Sequence, residues 1–366
     1  MFLASLHTLF STRRRTAGLL LAFCFAWLTM SASAAAPDYV EEYYPVIHKA
    51  EMEVIYQNYA AALADYQLAF SSVPSPFAHD YYNAAICALL LQNEKQAYEY
   101  LNKLVEKGVS LEYLKRQPLL DSLTGTRQWK KFRRKYKKHR RTYQEHINPD
   151  LRADLDELYA RDQYFRQAPG GLRVYGDTIR KIEAANVQKL LAWVAQYGYP
   201  GEDLIGVADT LEQLPRYTVV IQRQTKARNG HDFTTVLDSA VHQGQLAPTA
   251  AAYLLEQQAG RSTYGAKALV RVNCSACEDE KEKPAELGQY LVESRSKAER
   301  KQIASRRRSL GLEPLEDYRI KALYSLIDNR FKLVNDWAVV NYYVPSSEAA
   351  STLMERLKTL QESLQE

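Results

Sequence analysis

Between Glu51 and Leu364 apolar side chains return at intervals of three and four, and most such runs are closed by proline or glycine. That period matches the turn of an α-helix, so the pattern confines the chain to a mainly α architecture of helices packed by one face. Ile55, Tyr59, Leu63, Tyr66 and Phe70 predict a helix over 51–70, stopped by Pro74 and Pro76. Asp80 is expected to cap a helix over 81–91 that turns Tyr82, Ala85, Ile86, Leu89 and Leu90 inward. After Gln92-Asn93, Ala97, Leu101, Leu104 and Val105 share a face over 94–107, and Gly108 suits the left-handed residue that closes a helix. Ala84, Ala85 and Ala97 fall where the two helices would cross, and small residues let axes approach. This region is similar to a tetratricopeptide-type hairpin, with 51–70 as the second helix of a preceding unit. A generic helical bundle is the alternative.

Residues 127–141 carry ten Lys or Arg and no acid. Trp129, Phe132, Tyr136 and Tyr143 recur at helical spacing among them, so the aromatics form a seam and the cations the remaining face. The simplest reading docks that seam on the domain and leaves the cations in water. The second reading makes Lys130, Lys131, Arg133, Arg134, Lys137 and Lys138 a contact for an anionic membrane or cell-wall surface. A formal charge of only +5 argues against nucleic acid as a partner of the whole chain.

Location comes from the other end. Arg13–Arg15 precede an apolar run from Ala17 to Met30, and Ala32-Ser33-Ala34 follow it. A basic flank, a run of about 14 apolar residues and a small-residue exit describe a secretory signal peptide cut after Ala34, giving a secreted or periplasmic product. A retained anchor and a lipoprotein attached through Cys24 are the lesser readings. In an oxidising compartment Cys274-Ser275-Ala276-Cys277 reads first as a local disulfide, ahead of a redox dithiol, because Glu278, Asp279 and Glu280 oppose thiolate formation. No second cysteine pair, His-Glu-x-x-His or Gly-x-Ser-x-Gly is present, so neither a metal-ligand set nor a cofactor is expected.

Past Asn148-Pro149 helices are expected over 151–165, 177–197, 204–208, 214–223, 233–242, 248–258 and 285–308. Phe331–Val334 and Trp337–Val344 around Asn335-Asp336 predict one short β-hairpin. Ser346 or Ser347 caps a terminal helix carrying Leu353, Leu357, Leu360 and Leu364. The expected organisation is a leader (1–34), a tetratricopeptide-like region (35–125), a basic helix (126–147), an all-helical domain (148–320) and a C-terminal hairpin and helix (321–366).

Leu151-Arg152-Ala153-Asp154-Leu155, Arg161-Asp162-Gln163, Asn186, Tyr197-Gly198-Tyr199-Pro200, Gly206, Gln222, His242-Gln243-Gly244-Gln245, Tyr264-Gly265 and Gly311-Leu312-Glu313-Pro314-Leu315 give residues 148–317 a likeness. The stretch resembles an uncharacterised bacterial domain family of unknown function. The resemblance implies a mostly helical domain in which Asp162, Gln163, Asn186, Gln222 and Tyr264 converge, either to knit the fold or to line a pocket. The family pattern often places His after the residue matching Gln222, where this chain has Arg223. The expected function is noncatalytic interaction with an envelope protein. The alternatives are a hydrolase built on Asp162 with Gln222 or Tyr264 positioning substrate, and attachment to anionic lipid or cell wall through the basic helix.

Overall fold

The computed structural model describes residues 36–274, 277 and 287–365; the leader and the charged stretch Glu278–Lys283 lie outside them. Helices dominate, and they come in pairs. After a single turn, α1 (Tyr39–Glu42), α2 (Tyr44–Ile55) packs along α3 (Tyr59–Ser72), and α4 (Ala78–Leu90) packs along α5 (Glu94–Glu106). Two short helices, α6 (Leu111–Lys115) and α7 (Pro118–Asp121), lead to α8 (Arg127–His146), which lies on α5. A long pair follows, α9 (Pro149–Gln167) and α10 (Gly171–Tyr197). Asn148 caps α9 by accepting the Leu151 amide at 2.9 Å, and Pro149 fills the first position, where its missing N–H costs nothing. Beyond it lie α11 (Glu202–Ile205), α12 (Val219–Gln222), α13 (Thr234–His242) and α14 (Pro248–Ala259).

The helix expected over 51–70 is two helices. Gln57 turns left-handed (φ 59°), and the Asn58 amide bonds back to the Glu53 carbonyl at 2.8 Å. Both halves present the same apolar face to one core, so the periodicity runs through the break unmarked. Asp80 is not a cap either. Helix α4 begins two residues earlier, its Ala78 amide is satisfied by Glu202 Oε2 at 2.9 Å, and Asp80 is buried within the first turn.

Two strands appear inside the region expected to be all-helical, and another interrupts the expected terminal helix. β1 (Leu269–Cys274) and β2 (Tyr290–Glu293) precede α15 (Lys297–Ser309) and α16 (Leu315–Ile327); β3 (Val339–Val344), α17 (Ser347–Met354), β4 (Leu357–Thr359) and α18 (Leu360–Gln365) end the chain. The sheet order is β3-β1-β2-β4, with β1 parallel to β3 from Leu269↔Val339 to Cys274↔Val344, and antiparallel pairs elsewhere. A parallel pair needs a crossover, and here it contains β2, α15 and α16. Ala268, Leu269, Val270 and Val272 are all buried, because Leu269 packs with Ile303 and Tyr318 on one face while Val270 and Val272 pack with Ala350 of α17 on the other. Arg271 and Asn273 interrupt the apolar residues, so the strand shows neither a continuous apolar run nor a long one-sided alternation. Cys274 and Cys277 are joined by a disulfide at the end of β1.

The predicted hairpin does not form. β3 exists, but Phe331–Val334 is not its partner. Phe331 and Leu333 enter the main core, and the Lys332 backbone bonds the Asn83 side chain in both directions at 2.8 Å. The predicted terminal helix is likewise interrupted, since Leu357–Thr359 pairs with β2. One continuous core joins Tyr39 near the beginning to Leu333 near the end. Among the described residues no helix is long and apolar enough to cross a membrane.

Candidate functional site

Where α2 and the start of α4 face the 199–250 segment, a cavity of about 140 Å³ opens. That is close to the space that holds a benzene-sized molecule, about 150 Å³. Tyr44, Phe77 and Tyr199 supply aromatic wall, while His48, Glu51, His79, Asp80, Glu202 and Glu313 supply ionisable groups. Its far rim depends on two loops in tight contact, since a Cβ on Gly201 would lie 2.1 Å from the Gln245 carbonyl oxygen.

His48 and Glu51 stand one turn apart on α2, and His79 and Asp80 are neighbours in the first turn of α4. Glu51, His79 and Asp80 each place a donor atom within 4.8 Å of the others. Tyr43 donates its hydroxyl to Asp80 Oδ2 at 2.6 Å, and His79 Nδ1 lies 3.7 Å from Asp80 Oδ1. His48 Nε2 meets the Gly311 carbonyl at 2.9 Å, which leaves Nδ1 on the Glu51 side, 3.7 Å from Oε2.

Beneath the cavity a charged group from the far end of the chain closes the network. Lys321 of α16 is wholly buried and donates to Glu51 Oε2 and, at 3.2 Å, to Glu313 Oε1. Arg307 lies 3.5 Å from Glu313 Oε2. Burial alone would raise the Glu313 carboxyl, but the charges of Lys321, His48 and Arg307 outweigh it and hold the group down at about 2. Glu51 follows the same logic: burial pushes it up, and Lys321 with His48 pulls it below the ordinary range. For Lys321 burial opposes the charge, while Glu313 and Glu51 restore it and leave the ammonium raised. Burial lowers His79, and Asp80 overrides that to leave it raised. Glu202 goes the other way; burial raises it, and Lys107 at 3.7 Å offsets only part.

The residues singled out by the family resemblance lie elsewhere, and none of the five lines this cavity. Asp162 is buried with both oxygens engaged: Oδ1 accepts from Arg166 at 3.2 Å, and Oδ2 accepts from Gln163 at 2.8 Å and Arg223 at 2.9 Å. Asn186 donates to the Leu158 carbonyl at 3.2 Å, clasping α10 to α9. Gln222 bonds Thr218 within its own turn at 3.3 Å. Tyr264 is held in the loop after α14, its amide on Glu256 Oε1 and its carbonyl accepting from Arg307 at 2.7 Å. Arg223, which stands where the family pattern often has histidine, is thus an ion-pair partner of Asp162.

On α8 the aromatic seam faces inward: Trp129, Phe132 and Tyr143 are buried, and Tyr136 is half-buried. His139 pairs with Glu106 at 2.8 Å, and Arg140 donates to the Gly108 carbonyl at 2.7 Å while lying over the Tyr143 ring. Lys130, Lys131, Arg133, Arg134, Lys137 and Lys138 are exposed and form no ion pair among the described residues.

The cavity's donors escaped sequence reading because His48-x-x-Glu51 and His79-Asp80 are short patterns on separate helices. Even the first pair was hidden, since the helix expected there began at Glu51 and left His48 outside it. Family models, curated proteins and solved structures offer no match to this chain, so its function rests on its own geometry.

Proposed function

We propose that the exported chain is a noncatalytic interaction module of the cell envelope, and that α8 docks it on an acidic partner protein. The exposed, unpaired cationic face of α8 carries this reading. A 20-residue helix is about 30 Å long, so it offers an extended strip of positive charge on a rigid support. Cations that lack an internal partner contribute little to folding and are free to steer an acidic surface into contact. The tetratricopeptide-like pairing of α2–α3 and α4–α5 suits a scaffold, because stacked helix pairs present broad surfaces without a reactive group.

Lipid or cell-wall attachment is the weaker alternative. An interfacial helix sinks its apolar face among the headgroups, and the aromatic face of α8 is already consumed by the core. The hydrolase built on Asp162 is weaker still, since two arginines and Gln163 occupy that carboxylate. The test is capture of acidic envelope proteins at low and high salt by the parent and by a variant with Lys130, Arg133, Arg134 and Lys137 changed to Gln. Salt-sensitive capture by the parent, reduced in the variant, supports the reading. Equal capture by both, or binding confined to anionic vesicles, overturns it.

A further inference from the structure

We propose that His48, Glu51, His79 and Asp80 form a binding site for one divalent transition-metal ion of the zinc or manganese class. Imidazole and carboxylate donors together match that class of ion, whereas magnesium and calcium favour oxygen alone. Glu51, His79 and Asp80 already bring their donor atoms within 4.8 Å of one another. Metal–donor bonds of about 2.0–2.2 Å require only a modest inward closure of such a group.

Independent features of the same cavity call for a ligand. Tyr44 is 4% exposed, lines the cavity, and its hydroxyl has no hydrogen-bond partner in the protein. His79 Nε2 and His48 Nδ1 are equally without partners. The tautomer matters for His48. A carbonyl can only accept, so the Gly311 contact places a proton on Nε2 and leaves Nδ1 turned toward the Glu51 carboxylate.

An outer layer is present as well. Bound carboxylates are ordinarily oriented by further hydrogen bonds, and here Tyr43 holds Asp80 while Lys321 holds Glu51. Lys321 does not cancel the site's negative charge. With both imidazoles bound as neutral ligands, Glu51, Asp80 and Glu313 are set against Lys321 and Arg307, which leaves one formal negative charge for the bound cation to meet. An ion here would also tie α2 directly to α4 and so stiffen the first two helix pairs against each other.

The experiment uses the purified chain without an affinity tag, stripped by chelator and titrated calorimetrically with Zn²⁺ and with Mn²⁺. Expected are one equivalent bound and a raised melting temperature in the presence of metal. His79→Gln should weaken binding by about 100-fold and abolish the melting shift. Asp80→Asn, which keeps an acceptor for Tyr43, should weaken it too, and provides the same reading should His79→Gln not fold. His139→Gln, on the α8 surface, should bind as the parent does. Absence of saturable uptake by the parent, or equal uptake by parent and Asp80→Asn, overturns the proposal. This outcome is separate from the fate of the α8 reading.

Discussion

Two regions of this molecule handle charge in opposite ways. Helix α8 gathers like charges within one short stretch, turns them to water and leaves them unpaired. Around Lys321 the opposite is done: Glu51, Arg307, Glu313 and Lys321, drawn from positions up to 270 residues apart, are buried in contact. Exposed charge is solvated and screened, so it is cheap to hold and available to a partner. Buried charge survives only with every partner in place. The first kind is therefore left open to a partner, and the second fixes which distant segments may come together.

The sharpest way to break this contrast is Lys321→Met, which leaves Glu51 and Glu313 facing each other without their common counter-ion. A loss of about 3–5 kcal/mol is expected, read from denaturant unfolding. A loss below 1 kcal/mol would mean that the buried group does not hold α16 to α2. Asp162→Ala should come next, since it strands Arg223, leaves Arg166 to Glu183 alone and unlatches Gln163; the expected loss is about 1–3 kcal/mol.

Glu212→Gln tests an intermediate case. Burial would raise this carboxyl, but Lys332 at 2.6 Å and Tyr113 at 3.0 Å hold it below the ordinary range. A carboxyl depressed in the folded state stabilises above its unfolded pKa, and that contribution disappears as pH falls through the folded value. The parent should thus lose stability on acidification below about pH 4.5, and Glu212→Gln should show a flatter profile over that window. Parallel profiles would remove Glu212 from the account. Smallest is the change from neutralising Lys130, Arg133, Arg134 and Lys137 together: folding stability should move by no more than about 0.5 kcal/mol. A larger shift would mean these cations are structural after all.

The same contrast explains what could be read in advance. Helix α8 was legible because its seam and its charges repeat locally, and each residue carries its own signal. Helix pairing was legible for the same reason in 81–107. The sheet was not, because β1 is buried on both faces and its parallel partner lies 70 positions further on in register. Phe331 and Leu333 looked like hairpin residues because nothing local announces that Asn83 will take the Lys332 backbone. His48, Glu51, His79 and Asp80 could not be joined from sequence, since the approach of α2 to α4 is a property of the packed core. Lys321 was the least visible of all: an unremarkable cation in a helix, meaningful only against two carboxylates elsewhere.

The tie between Lys321 and Glu51 also sets an order of events. A chain made from its amino end presents α2 and its carboxylate long before α16 exists, and the Asn83 clasp on Lys332 waits longer still, across 249 positions. The leading helix pairs can form early from local contacts, yet their interior cannot be sealed until the final third arrives, and closing so long a loop is slow. Until then the early half stays ajar, and a truncation before residue 333 would leave it permanently so.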